Sequence, residues 1–125
     1  MAESSREYPD LHEHLELLKK KGLLLTIDRV VDKDAEMHPL VRWQFVGGVE
    51  ERERRAFLFT NVVDGRGRKY GFPVAVGALA GNREIYLAGM RCTAEELQAR
   101  WDRAIASPIA PRVVKEAACQ EVVIE

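Results

Sequence analysis

Three histidines, two cysteines and two glycine-rich segments are the residues of this chain that most invite a metal-binding, nucleophilic or phosphate-binding chemistry. His12 and His14 stand two apart in a segment with helical spacing. On a helix such residues face different sides, so the two imidazoles do not converge on one ion. His38 is not accompanied by a carboxylate or a cysteine in a metal-ligand pattern. All three are expected to be surface or cap histidines, and no metal is assigned. Cys92 and Cys119 lack a CxxC partner and any nucleophile signature, and read as reduced structural thiols.

The segment Gly65-Arg66-Gly67-Arg68-Lys69-Tyr70-Gly71 approaches a dinucleotide-binding loop. Its glycine spacing misses GxGxxG by one residue, and a strand pattern follows it instead of a helix. A hairpin turn is expected, with Arg66, Arg68 and Lys69 as solvated charges. Gly77-Ala78-Leu79-Ala80-Gly81 lacks the Lys-Ser/Thr of a phosphate loop, so its glycines are expected to permit a tight strand-to-helix turn. Glu84 falls at a predicted helix start, where a carboxylate compensates the macrodipole. No Ser/His/Asp arrangement is visible. No catalytic, cofactor-binding or metal-binding residue is assigned to these 125 residues.

Composition narrows the classes further. Hydrophobic residues make up 46% of the chain, enough for a packed core and against global disorder. The 19 basic and 20 acidic side chains nearly cancel, which argues against nucleic acid as a partner. Two cysteines are too few for a disulfide-stapled secreted domain, so a reducing, cytoplasmic compartment is expected. No apolar run approaches the ~20 residues of a membrane span, and no membrane association is expected.

The elements that would position these residues are well punctuated. Asp10 is an N-cap with Glu13 at the capping-box position; Leu11, Leu15 and Leu18 form a stripe. Lys19-Lys20-Lys21 and then Gly22 close that helix. Leu23-Leu24-Leu25-Thr26-Ile27 reads as a buried strand ended by Asp28-Arg29, followed by an irregular connection over 30–37. Pro39 suits the first turn of a second helix running to about Val46 and stopped by Gly47-Gly48. The charged run over 50–55 is a solvated loop. Strands are predicted over 56–63 and 72–79, separated by the turn Asp64-Gly65-Arg66-Gly67. Asn82 caps a short helix through Leu87, closed by Gly89. Thr93-Ala94-Glu95-Glu96 has capping-box form and opens a helix with Leu97, Trp101, Ala104 and Ile105 on its apolar face, ended by Ser107-Pro108. The closing Cys119-Gln120-Glu121-Val122-Val123-Ile124-Glu125 reads as a strand with nothing to pair with.

The expected fold is therefore α/β (α+β): a small mixed sheet of three to four strands flanked by helices. Residues 1–8 are expected to be a flexible N-terminus and residues 9–107 the domain. Residues 108–125 would be an extended segment that pairs with a partner domain or chain.

Several segments, in order, resemble the N-terminal domain of the UbiD family of prenylated-FMN-dependent decarboxylases. They are Asp10-Leu11-His12-Glu13-His14-Leu15-Glu16-Leu17-Leu18, Gly22-Leu23-Leu24-Leu25-Thr26-Ile27-Asp28, Ala56-Phe57-Leu58-Phe59-Thr60-Asn61-Val62, Phe72-Pro73-Val74 and Gly81-Asn82-Arg83-Glu84. Pro108-Ile109-Ala110-Pro111-Arg112-Val113-Val114-Lys115 and Cys119-Gln120-Glu121-Val122-Val123 complete the series. Arg42-Trp43-Gln44-Phe45 is less typical of the family.

The resemblance implies a three-part enzyme whose central domain holds prenylated FMN, a divalent metal, potassium and a Glu-Arg-Glu network. That chemistry acts on aromatic or α,β-unsaturated carboxylic acids. None of those positions has a counterpart here, and Glu121 and Glu125 are not assigned to the network. The expectation is a small non-catalytic subunit, in a hetero-oligomer with a UbiD-like catalytic chain that carries prenylated FMN and the metals. Two alternatives stay open: a standalone binding or regulatory module derived from the domain, and an N-terminal fragment of a longer enzyme.

Overall fold

The structure is a computed structural model and describes residues 10–111 and 113–115. The expected C-terminal strand, the N-terminal eight residues, Cys119, Glu121 and Glu125 lie outside the described residues.

The first helix, α1 (Leu11–Lys20), is capped as its sequence requires. The Asp10 carboxylate accepts from the Glu13 amide at 2.9 Å, and the Asp10 amide donates to the Glu13 carboxylate at 2.7 Å. Gly22 then takes φ +68°, the left-handed conformation that lets the chain turn directly into a strand. β1 (Leu24–Asp32) ends three residues past the predicted Asp28-Arg29 boundary, because a bulge carries the ladder onward. Ile27 pairs with Phe59 and Val30 with Asn61, so Asp28 and Arg29 face a single residue, Thr60. The hydroxyl of Thr60 donates to the Ile27 carbonyl, and the amide of Asn61 donates to that of Asp28. Beyond the bulge Val31 pairs with Val62, and both are buried.

The connection predicted to be irregular is instead a π-helical turn, Lys33–Met37, whose entry is capped by the Asp32 carboxylate. It runs into α2 (His38–Val46), with Pro39 in the first turn as expected. A short 3₁₀ turn, Glu51–Glu53, interrupts the charged loop before β2 (Ala56–Val63). The third strand, β3 (Val74–Val76), is three residues long, not the eight expected. Gly77 at φ +74° turns the chain out of the sheet there. α3 (Arg83–Met90) is capped by Asn82 and ends at Arg91 in the left-handed region, one turn beyond the predicted end. The Thr93/Glu96 capping box forms, but regular helix begins later, as α4 (Leu97–Ala106).

The sheet order is β1-β2-β3, with β1 and β2 parallel and β2 and β3 antiparallel. The segment from β1 through α2 to β2 is a βαβ unit, since parallel neighbours need a long crossover. Alternation along β2 sends Phe57 and Phe59 to one face, where their rings stack at 5.9 Å. With Val31, Val62, Met37 and Val41 they form the core beneath α2. The opposite face packs Ala56 against Leu18 of α1, Ile85 of α3 and Ala78. The mixed three-stranded α+β architecture agrees with the sequence expectation.

Candidate interaction surface

Most residues able to do chemistry are spent on holding the fold. His14, expected at the surface, is buried: its Nε2 lies 2.6 Å from the Ala78 carbonyl oxygen. A carbonyl only accepts, so Nε2 carries the proton and donates. The reason for the miss is tertiary, because His14 faces the turn over residues 77–81. His12, as expected, is exposed on the other side of α1, and His38 is exposed at the start of α2. Among the described residues no group of three or more His, Cys, Asp or Glu side chains is placed to hold a metal ion.

In the glycine-rich loop the amides of Gly65 to Arg68 are all engaged within the protein. Gly65 N donates to the Asp34 carboxylate, Arg66 N and Arg68 N donate to the Asp64 carboxylate, and Gly67 N donates to the Asp64 carbonyl. The loop is a turn whose anions are built in. Its charges face solvent, as expected, with the Arg68 guanidinium 5.6 Å from the centroid of the Tyr70 ring. The second glycine segment is a close approach: Gly81 N donates to Gly77 O at 3.0 Å, and a Cβ on Gly81 would stand 2.9 Å from that oxygen.

Electrostatics at the π-helical turn follow from these contacts. The Lys33 ammonium and the Gly65 amide hold the Asp34 carboxyl below its ordinary range. The Asp32 amide, and then Arg29, do the same for Glu36. The hydrogen bond to Asp34 raises Lys33. All three groups are exposed and serve local structure.

Two further polar side chains act as backbone clamps. Gln44, buried, accepts from Arg55 N at 2.9 Å and donates to Arg55 O at 3.0 Å. Asn82, also buried, donates to Arg54 O while its carbonyl oxygen caps Ile85 N. The Glu51 carboxylate accepts from Arg83 N. Cys92 is a free, half-buried thiol beside Lys21 and Arg91 in a shallow depression that Glu84 also lines. Cys119, the other cysteine of the chain, lies outside the described residues.

What remains available is apolar surface. A groove of about 550 Å³ runs between α1 and the sheet face away from α2. Leu11, Leu15, Leu24, Leu58, Phe72 and Ala75 line it, with the hydroxyls of Thr26 and Thr60 nearby and His12, Glu16 and Lys19 at the helix side. Sequence reasoning missed this groove. Its signal was in the Leu11/Leu15/Leu18 stripe, of which only Leu18 is fully buried while Leu11 stays exposed. At the end of α2, Trp43 and Val46 are exposed, and Phe45 lies under the Arg54 guanidinium at 5.1 Å.

The predicted apolar face of α4 is present but uncovered. None of its residues is buried, and Trp101 is 44% and Ile105 74% exposed. A hydrogen bond from Trp101 Nε1 to the Tyr86 hydroxyl, 3.0 Å, ties it to α3. Beyond it, Ile109 and Val113 are over 90% exposed. Lone exposed hydrophobics need no explanation, but here they form a series along one helix and the described residues that follow it. Among the described residues, no helix is long and apolar enough to cross a membrane.

Comparison with known proteins gives one assignment. The sequence model of the family described as the 3-octaprenyl-4-hydroxybenzoate carboxy-lyase N-terminal domain matches residues 15–105, from α1 into the last turn of α4. No curated protein and no solved structure matches the chain. The match spans well over half of the 125 residues and the observed α+β fold is consistent with it, so the chain belongs to the UbiD carboxy-lyase family through its N-terminal domain.

Proposed function

We propose that this domain is the non-catalytic, docking part of a UbiD-like carboxy-lyase acting in the cytoplasm on an aromatic or α,β-unsaturated carboxylic acid. A separate polypeptide carries the flavin-binding catalytic domain. The observation that carries this reading is the contrast within one small domain. Its histidine, amide and carboxylate side chains at buried or turn positions are engaged with backbone, while apolar side chains from Trp43 to Val113 stand in solvent.

Among the described residues no set fits prenylated FMN, a divalent metal or potassium. The amides of the 65–68 turn are already engaged by Asp34 and Asp64, and no multidentate metal set exists among the described residues. No step of the decarboxylation is therefore routed through this chain's side chains, and the cofactor is assigned to the partner polypeptide.

The test is affinity isolation of the full chain from its native source, followed by mass spectrometry and an absorbance spectrum. The expected result is a second, UbiD-like polypeptide with a flavin-type chromophore. A chain recovered alone, or one that decarboxylates such an acid unaided, would overturn the proposal.

A further inference from the structure

β1 is an edge strand. Among the described residues it pairs with β2 alone, so along its nine residues every second backbone N–H and C=O is aimed away from the sheet. A row of such groups is a template for a strand of another chain. Past the bulge, that row is closed by the chain's own side chains.

Which groups face outward follows from β2. The Val62 carbonyl accepts from Tyr70 N at 2.9 Å on the edge of β2 opposite β1, so the backbone of Val62 turns away from β1. Its partner Val31 then makes the cross-strand bonds, and the flanking Val30 and Asp32 aim their groups at the free edge. Both have takers. The Val30 carbonyl accepts from Arg29 Nη1 at 2.9 Å, and Asp32 N donates to Glu36 Oε2 at 2.9 Å. Arg29 Nη1 also donates to Glu36 Oε1 at 2.9 Å, so a single ion pair spans the two edge groups.

We infer that the Arg29–Glu36 pair is a guard on the free edge of β1, which keeps that edge from pairing with β1 of a second copy. Stability alone gives the pair little purpose, because its side chains are 56% and 44% exposed and exposed ion pairs contribute little. Its position gives it one. It lies where the Asp28-Arg29 bulge already interrupts the edge, and the Val30 side chain beside it is 60% exposed. A bulge and charged side chains are two devices that blunt an edge, and here Arg29 belongs to both.

The experiment is sedimentation velocity on the full 125-residue chain over a range of concentrations, with infrared spectra to detect strand pairing between molecules. The wild type is compared with the double variant Arg29→Ala, Glu36→Ala, and circular dichroism verifies the fold. The double variant is expected to associate at a concentration at least about tenfold lower than the wild type, and to gain an intermolecular strand signal. Glu36→Ala alone frees only the Asp32 amide. It should show a smaller shift in the same direction, and it carries the test if the double variant does not fold.

A third substitution identifies the surface. Val30→Lys, added to the unguarded chain, puts a new charge on the same edge and should restore wild-type behaviour. Val46→Lys, at a comparably exposed apolar position at the end of α2, should not. A folded, unguarded chain that sediments like the wild type would overturn the inference. Association without an intermolecular strand signal would do the same, as would equal relief by Val30→Lys and Val46→Lys.

Discussion

The Nε2 of His14 donates to the carbonyl oxygen of Ala78 at 2.6 Å, joining the middle of α1 to the turn that leads out of the sheet. Both groups are buried, so the bond positions α1 over the 77–81 segment. Replacing His14 by leucine leaves the Ala78 carbonyl without its donor. The expected cost is about 1–3 kcal/mol in urea denaturation, with His14→Gln recovering part of it. An unchanged midpoint in His14→Leu would mean the bond has no structural weight.

Gln44 performs a comparable task between α2 and the start of β2, by pairing with both the N–H and the C=O of Arg55. Gln44→Leu keeps the volume and removes both partners. It should destabilise the domain by about 1–3 kcal/mol, measured by thermal or chemical denaturation, because two backbone groups are then left unsatisfied at a site where Gln44 is buried.

Gly81 is required for space. A methyl group there would meet Gly77 O at 2.9 Å and Ile85 Cδ1 at 3.1 Å. Gly81→Ala is expected to cost about 1–3 kcal/mol, the range for forcing extra volume into a packed site. Gly71→Ala, where nothing lies within 4 Å of the added carbon, should stay within about 0.5 kcal/mol of wild type. Equal midpoints for the two variants would refute the steric account.

Stability should fall on the acid side through Asp34 and Glu36. Both carboxyls are held below their ordinary values of 3.8 and 4.5, Asp34 chiefly by Lys33 and Glu36 chiefly by the Asp32 amide. A depressed folded-state value contributes stability that is present above the unfolded value and is lost as pH falls through the folded one. With respect to these two groups, denaturation midpoints should therefore be flat above about pH 5.5 and decline as pH falls through 4.5 and below. The double variant Asp34→Asn, Glu36→Gln should show a shallower decline.

Substitutions on α4 should cost little stability. Ile105→Ala removes a side chain that is 74% exposed, so a change within about 0.5 kcal/mol is expected for the monomer, whereas Trp101→Ala also loses the hydrogen bond to Tyr86 and should cost about 1 kcal/mol. Phe59→Ala, at a fully buried position, should cost about 3–5 kcal/mol. Comparable losses at Trp101 and Phe59 would show that α4 belongs to the core.

Local chemistry made much of the fold legible. The Asp10/Glu13 box, Gly22, Pro39 and the Asn82 cap each act within a few residues of themselves, so they read directly from the chain. β2 was legible over its full length because an apolar run rich in aromatic and β-branched residues lies between a charged loop and the Asp64-Gly65 turn. The bulge in β1 was hidden, since Thr60 and Asn61, more than thirty residues away, are what satisfy it. β3 was overestimated because an apolar run does not reveal where Gly77 leaves the sheet.

By itself the sequence determined the element order, the caps, the balanced charge and the family likeness, all of which rest on residue type and short-range spacing. Only the tertiary structure decided which polar groups are consumed. His14 became a buried strut and the carboxylates of Asp34 and Asp64 filled the glycine turn. It also decided what stayed open: the groove beside α1 and the uncovered α4. The physical reason is that hydrogen-bond satisfaction and apolar coverage depend on neighbours brought together by folding, and a linear pattern does not name those neighbours.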